Sequence, residues 1–181
     1  MSLTLSQIAC ALGTFIVIVN VPAVVAPAVF RRVAQAFPRN RPAAWLLTAF
    51  DLGWVSWVIL HAALGRFEFL KPAVYAAAPL SLLAIVFYMD ELLAPRALGG
   101  LLLLIANPVL NAARWHPSEW RLVMTVVAYA WVVAGIVLIL SPYRFRQVAA
   151  FMTKTDARCR ALGLVRLCVG ACFLFLGLKV Y

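Results

Sequence analysis

The chain contains repeated apolar runs of about 20 residues, the length that an α-helix needs to cross the hydrocarbon core of a bilayer. Of its 181 residues, 66% are hydrophobic and 12% are charged, so polar side chains are too scarce to cover a soluble domain. Inside a bilayer each backbone polar group must be satisfied within the protein, and long continuous apolar runs achieve this as helices rather than as barrel strands. The sequence therefore predicts an all-α, polytopic transmembrane helical bundle, formed as a single domain by residues 1–181.

Six spans are predicted from the positions of these runs. Their expected bounds are Leu5–Phe30, Ala43–Leu64, Ala73–Met89, Ala97–Ala113, Leu122–Leu140 and Ala161–Leu178. The third run is short and the fourth contains Pro108, so five spans and one re-entrant segment are the alternative. The first run is long and lacks a basic segment before it, which predicts a retained span rather than a cleaved signal peptide.

Lysine and arginine are distributed unequally between the two sides of this arrangement. Loops one, three and five hold the larger group: Arg31, Arg32, Arg39, Arg41, Arg96, Arg144, Arg146, Lys154, Arg158 and Arg160. The other side holds Arg66, Lys71, Arg114, Arg121 and Lys179. Since basic residues concentrate in cytoplasmic loops, we expect both termini outside the cytoplasm, in a bacterial inner membrane. Topology and anionic lipid headgroups account for the net charge of +10, and no nucleic-acid recognition motif accompanies it.

Two charged residues, Asp51 and Arg166, lie inside predicted spans. An unpaired charge in hydrocarbon costs about 2.5 to 3.5 kcal/mol or more, so both side chains should face protein or trapped water. An intramembrane ion pair between them is the leading interpretation. A transport or ligand site and a contact with lipid headgroups are the alternatives.

An internal similarity supports the idea of a pair. Sliding Pro27–Val55 onto Pro142–Gly170 places Asp51 on Arg166. The identical residues in this alignment are Pro27, Phe30, Arg31, Val33, Ala34, Leu47 and Leu52. Spans one and two would then form a hairpin related to spans five and six, and a two-fold axis along the membrane normal would bring the acid and the base to one depth. Chance alignment of Ala- and Leu-rich spans is the alternative. The tetrapeptide at 96–99 also recurs at 160–163.

The sixth span carries Gly163, Gly170 and Gly177 at intervals of seven, with Arg166 on the same face. Small residues allow transmembrane helices to approach closely. This face is therefore predicted to pack inside the bundle, with Arg166 directed inward.

Asparagine stands beside proline in two spans. Asn20 and Pro22 lie in the first, and Asn107, Pro108 and Asn111 lie in the fourth. A proline frees a helical carbonyl, which an asparagine amide can meet. These positions are interpreted as helix breaks, which can form polar sites or be ordinary kinks.

Loops one and five, residues 31–42 and 143–160, alternate basic and apolar residues. Each is predicted to be a basic cytoplasmic loop with a short amphipathic helix on the membrane surface. Arg31, Arg32, Arg144 and Arg146 would contact lipid phosphates or a partner subunit, and the pattern does not separate these two roles.

Cofactor chemistry is thinly represented. His61 and His116 should lie on the same side and are weak candidates for a metal or haem, but no carboxylate or cysteine set accompanies them at ligand spacing. No cofactor is therefore predicted, and haem is not expected. Asp90 and Glu91 precede the fourth span, where acids favour a helix N-terminus and could otherwise hold a cation.

No catalytic motif of a hydrolase, metalloprotease or nucleotide-binding enzyme occurs, so catalysis is not expected. Two classes of function remain, and a haem or metal membrane protein is a third alternative behind them. The first is a non-enzymatic accessory or scaffold subunit of a membrane assembly, associated with another membrane protein or with further copies of itself. The second is a small transporter or channel that uses an Asp51–Arg166 site.

Overall fold

The computed structural model describes residues 4–88 and 92–181, and these two ranges are helical almost throughout. Their α-helices are α1 (Leu5–Val25), α2 (Pro27–Ala36), α3 (Arg41–His61), α4 (Lys71–Tyr88), α5 (Leu93–Arg114), α6 (Arg121–Leu140), α7 (Tyr143–Met152) and α8 (Asp156–Lys179). Short 3-10 turns at Phe37–Arg39 and Gly65–Leu70 precede α3 and α4. No strand occurs within the described ranges.

Among these helices, six are long and apolar enough to cross a membrane, namely all except α2 and α7. This number agrees with the six predicted spans rather than with five. The first span is shorter than predicted because α1 ends at Val25 and α2 begins at Pro27. Proline is favoured at the first position of a helix, where its missing N–H is not needed. Asp90 and Glu91, predicted to cap the fourth span, lie outside the described residues.

Glycines bring the helices together in two close pairs. In the α5–α6 pair, an ideal Cβ atom on Gly99 would lie 2.7 Å from the carbonyl oxygen of Gly135, and the reverse distance is also 2.7 Å. In the α1–α8 pair, a Cβ atom on Gly13 would lie 2.8 Å from the carbonyl oxygen of Gly170. Any larger residue would therefore push the two backbones apart.

The predicted packing face of the sixth span is confirmed. In α8, Gly163 packs against Ala23, Gly170 against Val17 and Gly177 against Cys10, all in α1. The hydroxyl of Ser6 also donates a hydrogen bond of 2.6 Å to the carbonyl oxygen of Gly177. The seven-residue spacing thus marks one continuous interface.

The main hydrophobic core joins the two close pairs near one end. It is formed by the first half of α1, the second half of α5, the first half of α6 and the last turns of α8. Its buried members are Leu5, Ile8, Ala9, Ala106, Val109, Ala113, Met124, Ala128, Phe173 and Leu176. We call this end the core end. The opposite end carries α2, α7 and the first turns of α3, α5 and α8, and we call it the basic end.

The helices α3 and α4 lie at the side of this four-helix core. α3 packs on α5, and α4 packs on α3. Only Ala44 and Thr48 are buried in α3, and no residue of α4 is buried. The hairpin is therefore attached to the rest of the molecule mainly through the α3–α5 contact.

The helix pairing differs from the one that the internal similarity predicts. The related hairpins would be α1 with α3 and α6 with α8, but α1 packs on α8 and α6 on α5. The short similarity at 96–99 and 160–163 describes the packing better, since it aligns α5 with α8. It places the buried residues Gly163, Gly170, Phe173 and Gly177 on Gly99, Ala106, Val109 and Ala113, which are also buried. The two close pairs are thus alike in their buried faces.

Candidate functional site

Asp51 lies in α3 and faces α5. An ideal Cβ atom on Gly100 would be 2.9 Å from Oδ2 of Asp51, so this glycine leaves the space that the carboxylate occupies. The Oδ1 atom is buried and has no hydrogen-bond partner among the described residues. A buried acceptor without a donor costs about 1 to 3 kcal/mol, and more when it is charged. The contact between α3 and α5 therefore contains a carboxylate oxygen that has no hydrogen-bond donor among the described residues.

Arg166 lies in α8 on the other side of the bundle core. Its Nη1 atom is 3.5 Å from Oδ1 of Asn20 in α1, and its Nη2 atom is 2.7 Å from Sδ of Met152 in α7. Side chains on a helix lean toward its N-terminus, and long basic side chains extend toward the nearest polar boundary. Arg166 accordingly reaches back toward the basic end, where α7 covers it.

The predicted ion pair between Asp51 and Arg166 is not formed. Each side chain contacts a different helix: Asp51 meets α5, whereas Arg166 meets α1 and α7. The close α1–α8 and α5–α6 pairs are the cause, because they occupy the inner faces and leave α3 only the outer side of α5. The two residues lie at similar depths in their spans but do not touch, so the interpretation as an intramembrane ion pair is wrong.

The asparagine and proline positions do not break their helices. Pro22 lies inside α1, and Pro108 lies inside α5, which continues to Arg114. Asn20 is buried and donates a 2.8 Å hydrogen bond to the carbonyl oxygen of Ile16, one turn earlier. That is not the carbonyl freed by Pro22, which belongs to the residue four positions before the proline. The prediction of interrupted helices is therefore wrong, whereas the alternative of an ordinary kink within a continuous helix stays a prediction.

Asn107 and Asn111 form part of a groove between α3 and α5. The amide of Asn111 donates to Oδ1 of Asn107 at 3.2 Å. The groove has a volume of about 400 Å³, and its lining residues are Trp54, Val55, Val58, Ile59, Leu103, Leu104, Asn107, Pro108 and Asn111. It lies along the same helix contact as Asp51. The α3–α5 contact thus combines a carboxylate with two amides.

The four arginines predicted to bind lipid or a partner separate into two groups at the basic end. The first group already has partners within the protein: Arg31 forms an ion pair with Oδ1 of Asp156 at 2.7 Å, and the guanidinium of Arg144 lies 5.7 Å from the ring centre of Tyr143. Arg32 and Arg146, in contrast, line an open cavity of about 1080 Å³ between α2 and α7.

Arg39 is a third arginine at this cavity, and its position in the sequence predicts only that it lies in a cytoplasmic loop. It lies on the 3-10 turn that follows α2, so helical periodicity gave no reason to group it with Arg32. Its proximity to Arg146 depends on how α2 and α7 are arranged in space.

The two histidines have separate surroundings. The ring of His61 is 4.0 Å from that of Trp57, with its Nδ1 atom 2.8 Å from the Trp57 carbonyl oxygen. The ring of His116 is 5.3 Å from that of Tyr181, and its Nδ1 atom accepts a hydrogen bond from the Ser118 N–H at 3.2 Å. Within residues 4–88 and 92–181, no group of three or more His, Cys, Asp and Glu side chains is placed to hold a metal ion.

Comparison with known protein families, with curated proteins and with solved structures finds no significant match to this chain.

Proposed function

We propose that the protein is a non-enzymatic scaffold or accessory subunit of an assembly in a bacterial inner membrane. The six apolar helices support its insertion in a membrane. The excess of lysine and arginine in loops one, three and five supports an orientation with the basic end in the cytoplasm and both termini on the other side. Association with another membrane protein is the core of this proposal.

The observation that carries the proposal is a face of small residues on α4 that no other described helix covers. Ala73, Ala77, Ser81 and Ala84 follow one another at intervals of four, four and three, so they lie on one side of the helix. All four are exposed. Because α4 makes its main helix contact with α3 and these four residues are exposed, this face is directed to the surroundings.

The glycine faces of the four core helices show how this chain uses small residues. Gly13, Gly99, Gly135 and Gly170 all lie where two helices touch. Lipid chains offer no hydrophobic advantage to a helix contact, so association in a membrane depends on close approach and shape. A face of alanines and a serine on α4 suits the same close approach by a helix from another polypeptide.

Filling this face is expected to abolish the association. In an Ala77→Trp variant, the indole would hold the partner helix away, and we expect recovery of the partner to fall at least about tenfold. The measurement is native mass spectrometry of the protein extracted gently from its own membrane, with wild type giving a stoichiometric complex.

The matched control is Leu83→Trp, which places an indole on another exposed part of α4. We expect this variant to retain the partner at the wild-type level. A wild-type protein that is recovered as a lone protomer would contradict the proposal, as would equal loss of the partner in both variants.

The α3–α5 groove favours a small transporter or channel as the second candidate, with Asp51, Asn107 and Asn111 as its polar groups. In this case wild-type protein in liposomes should raise monovalent cation flux above that of empty vesicles. Asp51→Asn should reduce this flux at least about tenfold, whereas Glu68→Gln, at an exposed acid outside the groove, should not. Wild-type flux equal to that of empty vesicles would remove this candidate.

A further inference from the structure

The largest cavity described above lies at the basic end and is strongly cationic. Arg32 projects into it from α2, Arg39 from the following turn and Arg146 from α7. The neutral hydrogen-bonding residues at its wall are Gln35, Asn40, Tyr143 and Gln147. Among the residues that the structure describes, no aspartate or glutamate lines it. Its polar groups are therefore suited to an anion.

The side chains of the three cavity arginines form no hydrogen bond or ion pair with any residue in the described ranges. Two other arginines at the same end do have partners. Arg31 forms an ion pair with Asp156, and Arg158 lies over the ring of Phe151 and donates a hydrogen bond to its carbonyl oxygen. Like charges that surround one space repel each other, and an anion between them removes that repulsion. The planar fork of a guanidinium matches the oxygens of a phosphate group particularly well.

An adjoining cavity of about 340 Å³ combines basic and apolar residues, among them Arg41 and Trp45. It shares Arg39, Asn40 and Arg146 with the larger cavity and extends to Ala44, Trp45 and Leu93. A ligand could thus place a charged group among the arginines and an apolar portion beside the tryptophan. Tryptophan is enriched at this level of membrane proteins, where headgroups meet hydrocarbon.

The helices that form the cavity also carry exposed apolar side chains. Val29 and Val33 are 58% and 63% exposed in α2, and Phe151 is 64% exposed in α7. A short helix with apolar and basic residues of this kind lies in the headgroup zone of a membrane. The cavity would then open among lipid headgroups, where phosphate-bearing molecules are concentrated.

We propose that this cavity is a specific site for the phosphate group of an anionic phospholipid, with Arg32, Arg39 and Arg146 as its ligands. The proposal rests on the membrane orientation given above but not on the partner at α4. It extends the predicted general attraction of Arg31, Arg32, Arg144 and Arg146 to headgroups, since only two of those four line the site.

The test is lipid binding to the full-length protein in uncharged detergent, followed by native mass spectrometry. Wild type should bind phosphatidylglycerol at least about tenfold more tightly than phosphatidylcholine. The triple variant Arg32→Gln, Arg39→Gln, Arg146→Gln should lose at least about tenfold of its phosphatidylglycerol affinity. Inorganic phosphate at equal concentration should displace little of the lipid.

The control is the triple variant Arg144→Gln, Lys154→Gln, Arg160→Gln, which removes the same charge from the same end but leaves the cavity lining intact. We expect its affinity to stay within about twofold of wild type. Equal losses in the two triple variants would overturn the proposal in favour of general surface charge, and displacement by inorganic phosphate would assign the site to a soluble anion instead.

A single substitution provides a second comparison in case the cavity triple variant fails to fold. Arg146→Gln and Arg144→Gln alter the same helix two positions apart, and only Arg146 lines the cavity. A several-fold loss of phosphatidylglycerol affinity confined to Arg146→Gln would support the site. Equal effects of the two substitutions would overturn it.

Discussion

Replacing Gly135 by leucine is expected to separate α5 from α6 and to destabilise the protein by about 3 kcal/mol or more, at the upper end of overpacking effects. An ideal Cβ atom at this position lies 2.7 Å from the carbonyl oxygen of Gly99 and 3.0 Å from Cγ of Leu103. The first of these is a backbone atom and cannot rotate away. The two helices must therefore move apart, which would open the adjoining core at Ala106 and Ala128.

The measurement is thermal unfolding of the purified protein in detergent. A loss of this size lowers the midpoint by about 6 to 12 °C for a chain of this length. Gly53→Leu is the matched control, because no atom lies within 4 Å of an ideal Cβ at Gly53. We expect its stability to change by less than about 0.5 kcal/mol, as for surface substitutions. Similar midpoints for the two variants would contradict the close α5–α6 pair.

The second effect concerns the contact between Asp51 and Gly100. In Gly100→Ala the new methyl group would lie 2.9 Å from Oδ2 of Asp51, so the carboxylate at the end of this side chain must turn away. The cost of that movement offsets the roughly 1 kcal/mol of helix propensity that alanine gains over glycine. In an Asp51→Ala background only the gain remains, so the coupling energy between the two positions should be about 1 kcal/mol in a double-mutant cycle measured by unfolding.

The corresponding test of Arg166 should give the opposite result. Exchanging the two charges, Asp51→Arg with Arg166→Asp, is not expected to restore stability lost in the single variants. The contacts of Arg166 are to Asn20 and Met152, which the exchange does not replace. Recovery of wild-type stability in the exchanged variant would mean that the two residues form an ion pair after all.

Local patterns in the sequence predicted the helices well. The apolar runs correspond to the six long helices, although α1 ends five residues before the predicted end and α8 begins five residues before the predicted start. The spacing of Gly163, Gly170 and Gly177 correctly predicted one packed face on α8. These features depend on hydropathy, periodicity and residue size within one segment, which the sequence displays directly.

The same patterns did not predict which residues on different helices contact each other. The similarity that placed Asp51 on Arg166 described a relation along the chain, but not which helices touch. Gly100, which accommodates Asp51, had no distinctive role in the sequence, and neither did Arg39 beside Arg146. Likewise, proline inside a helix suggested breaks at Pro22 and Pro108, whereas both helices continue through these positions.

The sequence by itself determined that this chain forms six long apolar helices and that most of its arginines lie in alternate loops, because both follow from composition along single segments. Only the tertiary structure decided that α1 pairs with α8 and α5 with α6, that Asp51 meets Gly100, and that three arginines share a cavity. The physical reason is that helix partners are selected by the fit of small-residue faces on distant segments. The neighbours of a charged residue are then determined by which helices pack beside it.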